Sequence, residues 1–456
     1  MSVHALYTGY SALNASRVGL EVVSNNIANV NTEGYSRQRL ELQAFMPTSL
    51  TFGQIGNGVD ISDIARSRDV FLDERVRSAT GSLGALETRA ELLARAEAAL
   101  GEPEHGITAG LDALWDSFEG LALSPTNRAA QLTVMEELDA TSARLRSLDH
   151  EIEAVGEATR RFLEDELDTV NELTARIADL NVAILRERGG GSAPNNLLDM
   201  RDVAVDELVS MTGASARIDD NGNYQVAVNG LSLVLGSEHR TLSFDASTDS
   251  IVHDALGAAI NVGGSTGGAQ QFLQEDLVAM STGLGTIASE FADAVNAQHA
   301  AGFSDSGVAG AAVFSYDAAA PASTIALALT DPSQLASSDV DGTPFPAFNG
   351  ENAQRLADLR YTAVAVGGTQ SLGDAARALV IEVGSRVATA RSSAAAQADL
   401  ATAAQLSREQ VTGVNLDEEM VELMRFQQSY AAAARVITTA DAALDILVNR
   451  TGLVGR

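Results

Sequence analysis

The chain of 456 residues exceeds what one hydrophobic core usually organises, so two or three domains are expected. Its formal net charge of −31 comes from 61 acidic residues against 30 basic ones, all Arg; that field repels phosphate backbones and anionic lipid, so neither nucleic acid nor a membrane is expected as a partner. Cys and Lys are both absent, which excludes disulfides, thiolate chemistry, P-loops and Schiff-base lysines.

Met1 to Tyr7 lack a basic region followed by an apolar run, so no cleaved signal peptide is expected, and export would need another route. No apolar run reaches the length of a membrane span. From Ser2 to about Asn29, Val3, Leu6, Tyr10, Leu13, Leu20 and Ile27 fall on steps of three, four or seven, the narrow stripe of a coiled-coil helix. Turn formers from Asn29 to Tyr35 break it. The alternating stretch Arg39 to Phe45 predicts a strand, and Pro47, Gly53, Gly56 and Gly58 mark loops after it.

Helix resumes from about Val70. Ser124-Pro125 reads as a cap with Pro at the first helical position. The very long helix it opens carries Leu138, Leu145 and Ile152 in one seven-residue row and Leu148, Val155 and Phe162 in another. Leu173, Ile177, Leu180 and Ile184 continue the pattern until Gly189-Gly190-Gly191 stops it. Between about Ala214 and Val262 the period becomes that of strands: Tyr224, Val226 and Val228 alternate with polar or small residues, and Asn229-Gly230 is a hairpin signal.

A further helix is expected from about Gln270 to His299. The Ala-, Gly-, Ser- and Asp-rich stretch to about Gly350 then reads as loops with short strands and little core of its own. Finally Leu416, Met420, Leu423, Gln427, Tyr430, Ala434, Ile437, Asp441, Leu444 and Val448 alternate steps of four and three. They predict a helix from about Asn415 to Asn449, roughly 50 Å long at a rise of 1.5 Å per residue. Asp417, Glu418 and Glu419 in its first turn suit the positive end of the helix dipole.

The fold class expected is mainly α with an inserted β domain: an elongated multi-domain protein with paired N- and C-terminal coiled-coil-like helices, a long helical bundle and a small β-rich outer domain. Neither terminal helix can bury its stripe alone. The two could pair within a closed bundle, or pair and then join neighbours' helices. On the second reading the assembly interface is Leu6, Tyr10, Leu13, Leu20 and Ile27 with Leu416, Met420, Leu423, Tyr430, Ile437, Leu444 and Val448. Isolated helices are marginal in water, so both ends would be largely disordered in the monomer.

No catalytic, cofactor or metal constellation emerges. His4, His105, His150, His239, His253 and His299 are scattered without metal-ligand spacing. Glu102-Pro103-Glu104-His105 reads as a helix-breaking loop, and the triple glycine follows a helix where an anion cradle would open one. Asp219 to Gly222 and Asp339 to Gly342 lack the closing Glu of a calcium loop. Trp115, with Leu111, Leu114 and Phe118 at helical spacing, reads as core.

The segment Ser24 to Gln38, with Asn25, Asn26, Ile27, Ala28, Asn29, Asn31, Thr32, Gly34 and Tyr35, closely resembles the N-terminal signature of flagellar rod, hook and hook-associated proteins. Its Ser36-Arg37-Gln38 continuation resembles the first hook-associated protein family. The runs Gly413 to Met420, Gln427 to Tyr430 and Arg435 to Ile437 resemble the closing helix of the same proteins. Asn195 to Asp202, and Asn296 to Phe303 followed by Gly307 and Phe314, resemble internal segments of the hook-associated family rather than plain hook or rod proteins. Larger members carry an additional outer domain before the segment matching Asp331-Pro332-Ser333, where this chain has only Ser315 to Thr330.

The resemblance implies a non-enzymatic junction between hook and filament, outside the cell. Its partners would be copies of itself, hook protein, a second junction protein, and an export chaperone on the C-terminal helix. It further implies three domains: 1–35 with 412–456 as an inner tube, 36–213 with about 269–300 and 350–411 as a helical bundle, and about 214–268 with parts of 301–349 as a β-rich outer domain. The alternatives are a hook or distal rod protein, and a secreted wall hydrolase.

Overall fold

The computed structural model describes residues 2–50, 53–100, 106–190, 193–341, 349–446 and 448. The loop read at 102–105, the glycines at 191 and 342 and the predicted helix end at 449 lie outside them, as does the side chain at position 3. The chain divides into two compact units: 1–82, 170–241 and 398–456 form the first, and 83–169 and 242–397 the second.

The first unit is framed by the N-terminal helix Ser2–Ala28 and the closing helix Leu416–Asp445, which pack along one another. Strand Gln38–Ala44 pairs antiparallel with Val59–Arg66, from Gln38 opposite Arg66 to Ala44 opposite Val59, with a bulge at Glu41/Leu42. This ribbon lies against the N-terminal helix. Helix Asn195–Thr212 ends on Gly213, whose φ of 63° is the left-handed conformation that closes helices. It leads into a four-stranded antiparallel sheet, 215–218, 224–228, 231–235 and 238–239, in sequential order. Asn229 and Gly230 both have positive φ, 48° and 83°, as a two-residue hairpin turn of matching twist requires. Tyr224, Val226, Val228, Leu233 and Val234 are buried by this sheet.

The second unit contains a three-stranded sheet, 242–245, 250–253 and 258–260, with the middle strand central. The β-rich stretch of the sequence thus builds two separate sheets, one in each unit. Helix Ile107–Leu123 supplies Trp115 and Phe118, which meet Phe291 and Phe314 in a chain of aromatic contacts with centroids 5.0–6.4 Å apart.

Helix Arg128–Gly189 begins later than the cap read at Ser124. Ser124 instead closes the preceding helix, its N–H donating to Leu121 O at 3.0 Å. Pro125 sits in the tight turn that returns Asn127 N–H to Ser124 O, a position its fixed φ favours. The cap is Asn127, whose Oδ1 accepts the Ala129 N–H at 2.9 Å. Within the second unit Leu138, Leu145 and Ile152 are fully buried; of the other row Leu148 is buried, and Phe162 is exposed.

Helices Gly264–Gln271 and Val278–Ala300 are joined by one π turn, Phe272–Leu277. Its Asp276 is fully buried, and Arg89 at 2.8 Å and Arg386 at 3.1 Å neutralise it. The stretch after this helix is less open than its composition predicts: Val313, Phe314, Ala322, Ile325, Leu335 and Ala336 are all buried. Two polar side chains of helix Val278–Ala300 hold it down. Asn296 Oδ1 accepts the N–H groups of Val313 and Phe314, at 2.7 and 2.9 Å. His299 donates from Nδ1 to Ala311 O at 2.7 Å and accepts the Ala336 N–H at Nε2 at 2.9 Å.

Candidate functional site: the paired chain ends

The N-terminal and closing helices run antiparallel, as their contacts show in order. A Cβ on Gly9 would lie 2.9 Å from Ile437, Ser16 Oγ donates to Ser429 Oγ at 3.1 Å, and a Cβ on Gly19 would lie 2.5 Å from the Phe426 ring. Asn26 Nδ2 then donates to Glu419 Oε2 at 3.0 Å. Glycine is required at position 19 because the Phe426 ring occupies the space a side chain would take. Small residues therefore face the partner helix and bring the backbones close. On the closing helix the fully buried residues are Glu419, Ala433 and Ala440.

The sequence-predicted rows lie mostly beside that seam. Leu6, Leu13, Leu20 and Ile27 are half-buried, and Tyr10 is 63% exposed. On the closing helix Leu423, Ile437 and Leu444 are half-buried, with Ile437 against Gly9. Leu416, Met420, Tyr430 and Val448 are exposed, Met420 at 51% and Val448 at 71%. Val421, Met424 and Val436 are exposed as well. No helix among the described residues is long and apolar enough to cross a membrane, so these side chains do not belong to a spanning helix.

The motif residues form the joint where the N-terminal helix turns into the ribbon. Asn26 uses its whole side chain: Nδ2 donates to Gln38 O and Glu419, and Oδ1 accepts from Gln38 N–H at 3.0 Å and the Tyr35 hydroxyl at 2.8 Å. Burial, then the neighbouring carboxylates Asp199 and Glu419, push the Tyr35 hydroxyl up to about 12. It therefore stays a donor at every physiological pH. Asn29 Nδ2 donates back to Asn25 O, and Thr32 Oγ1 to Asn29 Oδ1, closing the turn. Asn31 and Ala28 are exposed and Ile27 is half-buried. Gly34 has φ 75°, and a Cβ there would overlap Val203 at 2.1 Å, so both torsion and space exclude a side chain.

Arg37 links this joint to the start of the closing helix, with Glu418 at 2.6 Å and Glu419 at 2.7 Å. Beside them lies a groove of ≈ 720 Å³ lined in part by Val22, Val23, Leu40, Val421 and Phe426. The closing helix is capped by Asn415, whose Oδ1 accepts the Asp417 N–H at 2.9 Å.

A second charged cluster explains the Asn195 to Asp202 segment. Arg66 bonds both Asp199 and Asp202 at 2.7 Å, and Arg68 also pairs with Asp202. Burial alone would raise the Asp202 carboxyl, yet the Arg68 and Arg66 guanidiniums hold it below the usual range. Arg201 stacks 4.6 Å over the Tyr224 ring and donates to Asn181 Oδ1 and Gly222 O. Arg77 and Arg408 meet on Asp206, each at 2.6 Å. Sequence spacing gave no sign of this cluster, because its members come from five separate segments.

Set against known proteins, the two chain ends match first. The flagella basal body rod protein family matches residues 6–35, and the flagellar basal body rod FlgEFG protein C-terminal family matches residues 410–450. The paired helices are thus similar to the ends of flagellar rod proteins. Between them, the flagellar hook-associated protein FlgK helical domain matches residues 93–314. Flagellar hook-associated protein 1 of Escherichia coli (strain K12) is 28% identical, over 96% of this chain and 98% of that one. Its namesake in Bacillus subtilis (strain 168) is also 28% identical, over 99% of both. The flagellar hook junction protein FlgK from Burkholderia pseudomallei has the same fold, with TM-score 0.67 at 17% identity over 74% of this chain and all of that one. Along nearly its whole length the chain is similar to the FlgK family of flagellar hook-associated proteins.

Proposed function

We propose that this chain is a structural coupler at the junction of flagellar hook and filament, and that its paired ends build the wall of the tube. One observation carries the reading. The terminal helices bury small residues against each other and leave Tyr10, Leu416, Met420, Met424, Tyr430 and Val448 exposed. Contiguous exposed apolar rows of this kind mark surfaces that other subunits cover.

Copies of the same chain would line the tube through Leu6, Tyr10, Leu13, Leu20, Ile27 and the closing-helix row. Hook protein would bound the ring on one side and a second junction protein on the other. Before assembly an export chaperone would cover the row around Leu423, Tyr430 and Ile437, since an exposed row invites premature association. The three-domain division expected from the sequence belongs to this proposal too, with 1–35 and 412–456 innermost. The chain acts without catalysis on this reading, and the buried carboxylate of Asp202 is held by Arg66 and Arg68.

Electron microscopy of a strain lacking the protein, with flagellin assayed in the medium, tests the role. Complete hooks without filaments, together with shed flagellin, are expected. Missing hooks or rods would move the protein inward to the hook or rod.

A further inference from the structure

We infer that the buried triad of Asn26, Arg37 and Glu419 sets the register of the terminal helix pair. Apart from Phe426 seated at Gly19, the seam is small and repetitive. Gly9, Ala12, Ser16, Gly19 and Val23 fall on alternating steps of three and four, and Ala433 and Ala440 lie seven apart on the facing helix. Such a row nearly superimposes on itself when one helix slides by a heptad. One slip places Gly19 against Ala433 and Ala12 against Ala440. The opposite slip places Phe426 against Ala12, one methyl larger than the glycine it meets in the structure. Packing therefore opposes the second slip, where that methyl would meet the ring, and does little against the first.

The polar groups separate them strongly. In the first slip Asn26 would face the Phe426 ring and lose Glu419. In the second, Glu419, which is 1% exposed here, would be carried to Gly19, away from both Asn26 and Arg37. Either way a buried carboxylate loses its ion pair of 2.7 Å and its amide donor at 3.0 Å, and a buried charge without a partner is strongly disfavoured. Arg37 is fixed in place independently, because its own N–H donates to Thr412 O at 2.9 Å. The triad thus acts as an alignment key at one end of the seam. It concerns the single chain and stands apart from the assembly role proposed above.

The test exploits the absence of Cys. In the full chain, S16C/S429C reports the observed register, since those hydroxyls are 3.1 Å apart, while S16C/E422C and S16C/V436C report the two slipped ones. After mild oxidation, peptide mapping measures each intrachain disulfide. In the otherwise unaltered chain the observed register should exceed either slip by more than about tenfold, the discrimination expected from one charge-assisted contact. Adding N26L/E419L should bring the first slip within about threefold of the observed register at unchanged helicity. F426A, which removes the large side chain of the seam but leaves the triad, should keep the tenfold preference. Overturning results are a preference over the first slip that survives N26L/E419L, equal yields in the unaltered chain, equal yields in F426A, or loss of helicity in N26L/E419L. The last would mean that the triad holds the helices together and does not select between alignments.

Discussion

The aromatic cluster of the second unit and the terminal helix pair of the first solve the same packing problem in opposite ways. Trp115, Phe118, Phe291 and Phe314 come from separate segments and close on one another, each at most 2% exposed. The terminal helices place glycine, alanine and serine between them and turn much of their larger apolar surface outward. The cluster is complete within one chain. On the proposed reading the pair is half of an interface, with stability concentrated in one region and association in the other.

The largest effect expected is in the cluster. Phe291→Ala should cost about 3–5 kcal/mol in chemical denaturation, since the cavity has rigid aromatic walls. A loss below about 1 kcal/mol would mean that the cluster is not the anchor of its unit. Gly19→Val should cost less, about 1–3 kcal/mol, through overpacking against Phe426. Its loss of helicity should be confined to the chain ends, as hydrogen exchange would show; a uniform loss would erase the contrast between the regions.

A pH series sharpens the comparison further. Burial pushes His299 below its ordinary value, only partly offset by its bond to Ala311 O. The neutral ring is also needed for Nε2 to accept the Ala336 N–H. The folded-state pKa is depressed, so this stabilisation is complete above the ordinary value of 6.5. It falls as pH drops below that value toward the folded pKa, with a slope of at most about 1.4 kcal/mol per pH unit. His299→Gln should flatten that part of the stability curve, and an unchanged slope would remove His299 as its cause. Least costly of all to the folded chain should be changes in the exposed rows: Met420→Glu or Tyr430→Asp should stay within about 0.5 kcal/mol of the parent in the isolated protein.

Much of this organisation was legible in advance, for identifiable reasons. The long helix announced itself because Leu138, Leu145 and Ile152 recur every seven residues, and the hairpin because Asn229-Gly230 can take two positive φ values. Asn25 to Tyr35 gave the likeness to the wider group of flagellar rod, hook and hook-associated proteins, and the structure gives Asn26, Tyr35 and Gly34 a shared mechanical role at the helix exit.

The mutual seam was harder to see. Hydrophobic periodicity weights large residues, so Leu6, Tyr10 and Leu13 drew attention while the parallel row Gly9, Ala12, Ser16, Gly19 and Val23 carried the close contact. The 3–4 spacing of those small residues was the available signal. The hub around Asp202 left no local trace, because Arg66, Arg68, Arg77 and Arg408 reach the cluster only through the tertiary fold. Asn127 was masked as a cap by the more conspicuous Ser124-Pro125 three residues earlier.

The most direct test of the assembly surface is complementation of a strain lacking the protein with Met420→Glu and Tyr430→Asp, alongside denaturation of the same purified variants. The account predicts monomers as stable as the parent and cells without filaments. Variants that fold normally and restore full-length filaments would contradict it, and the exposed rows would then have no part in joining subunits.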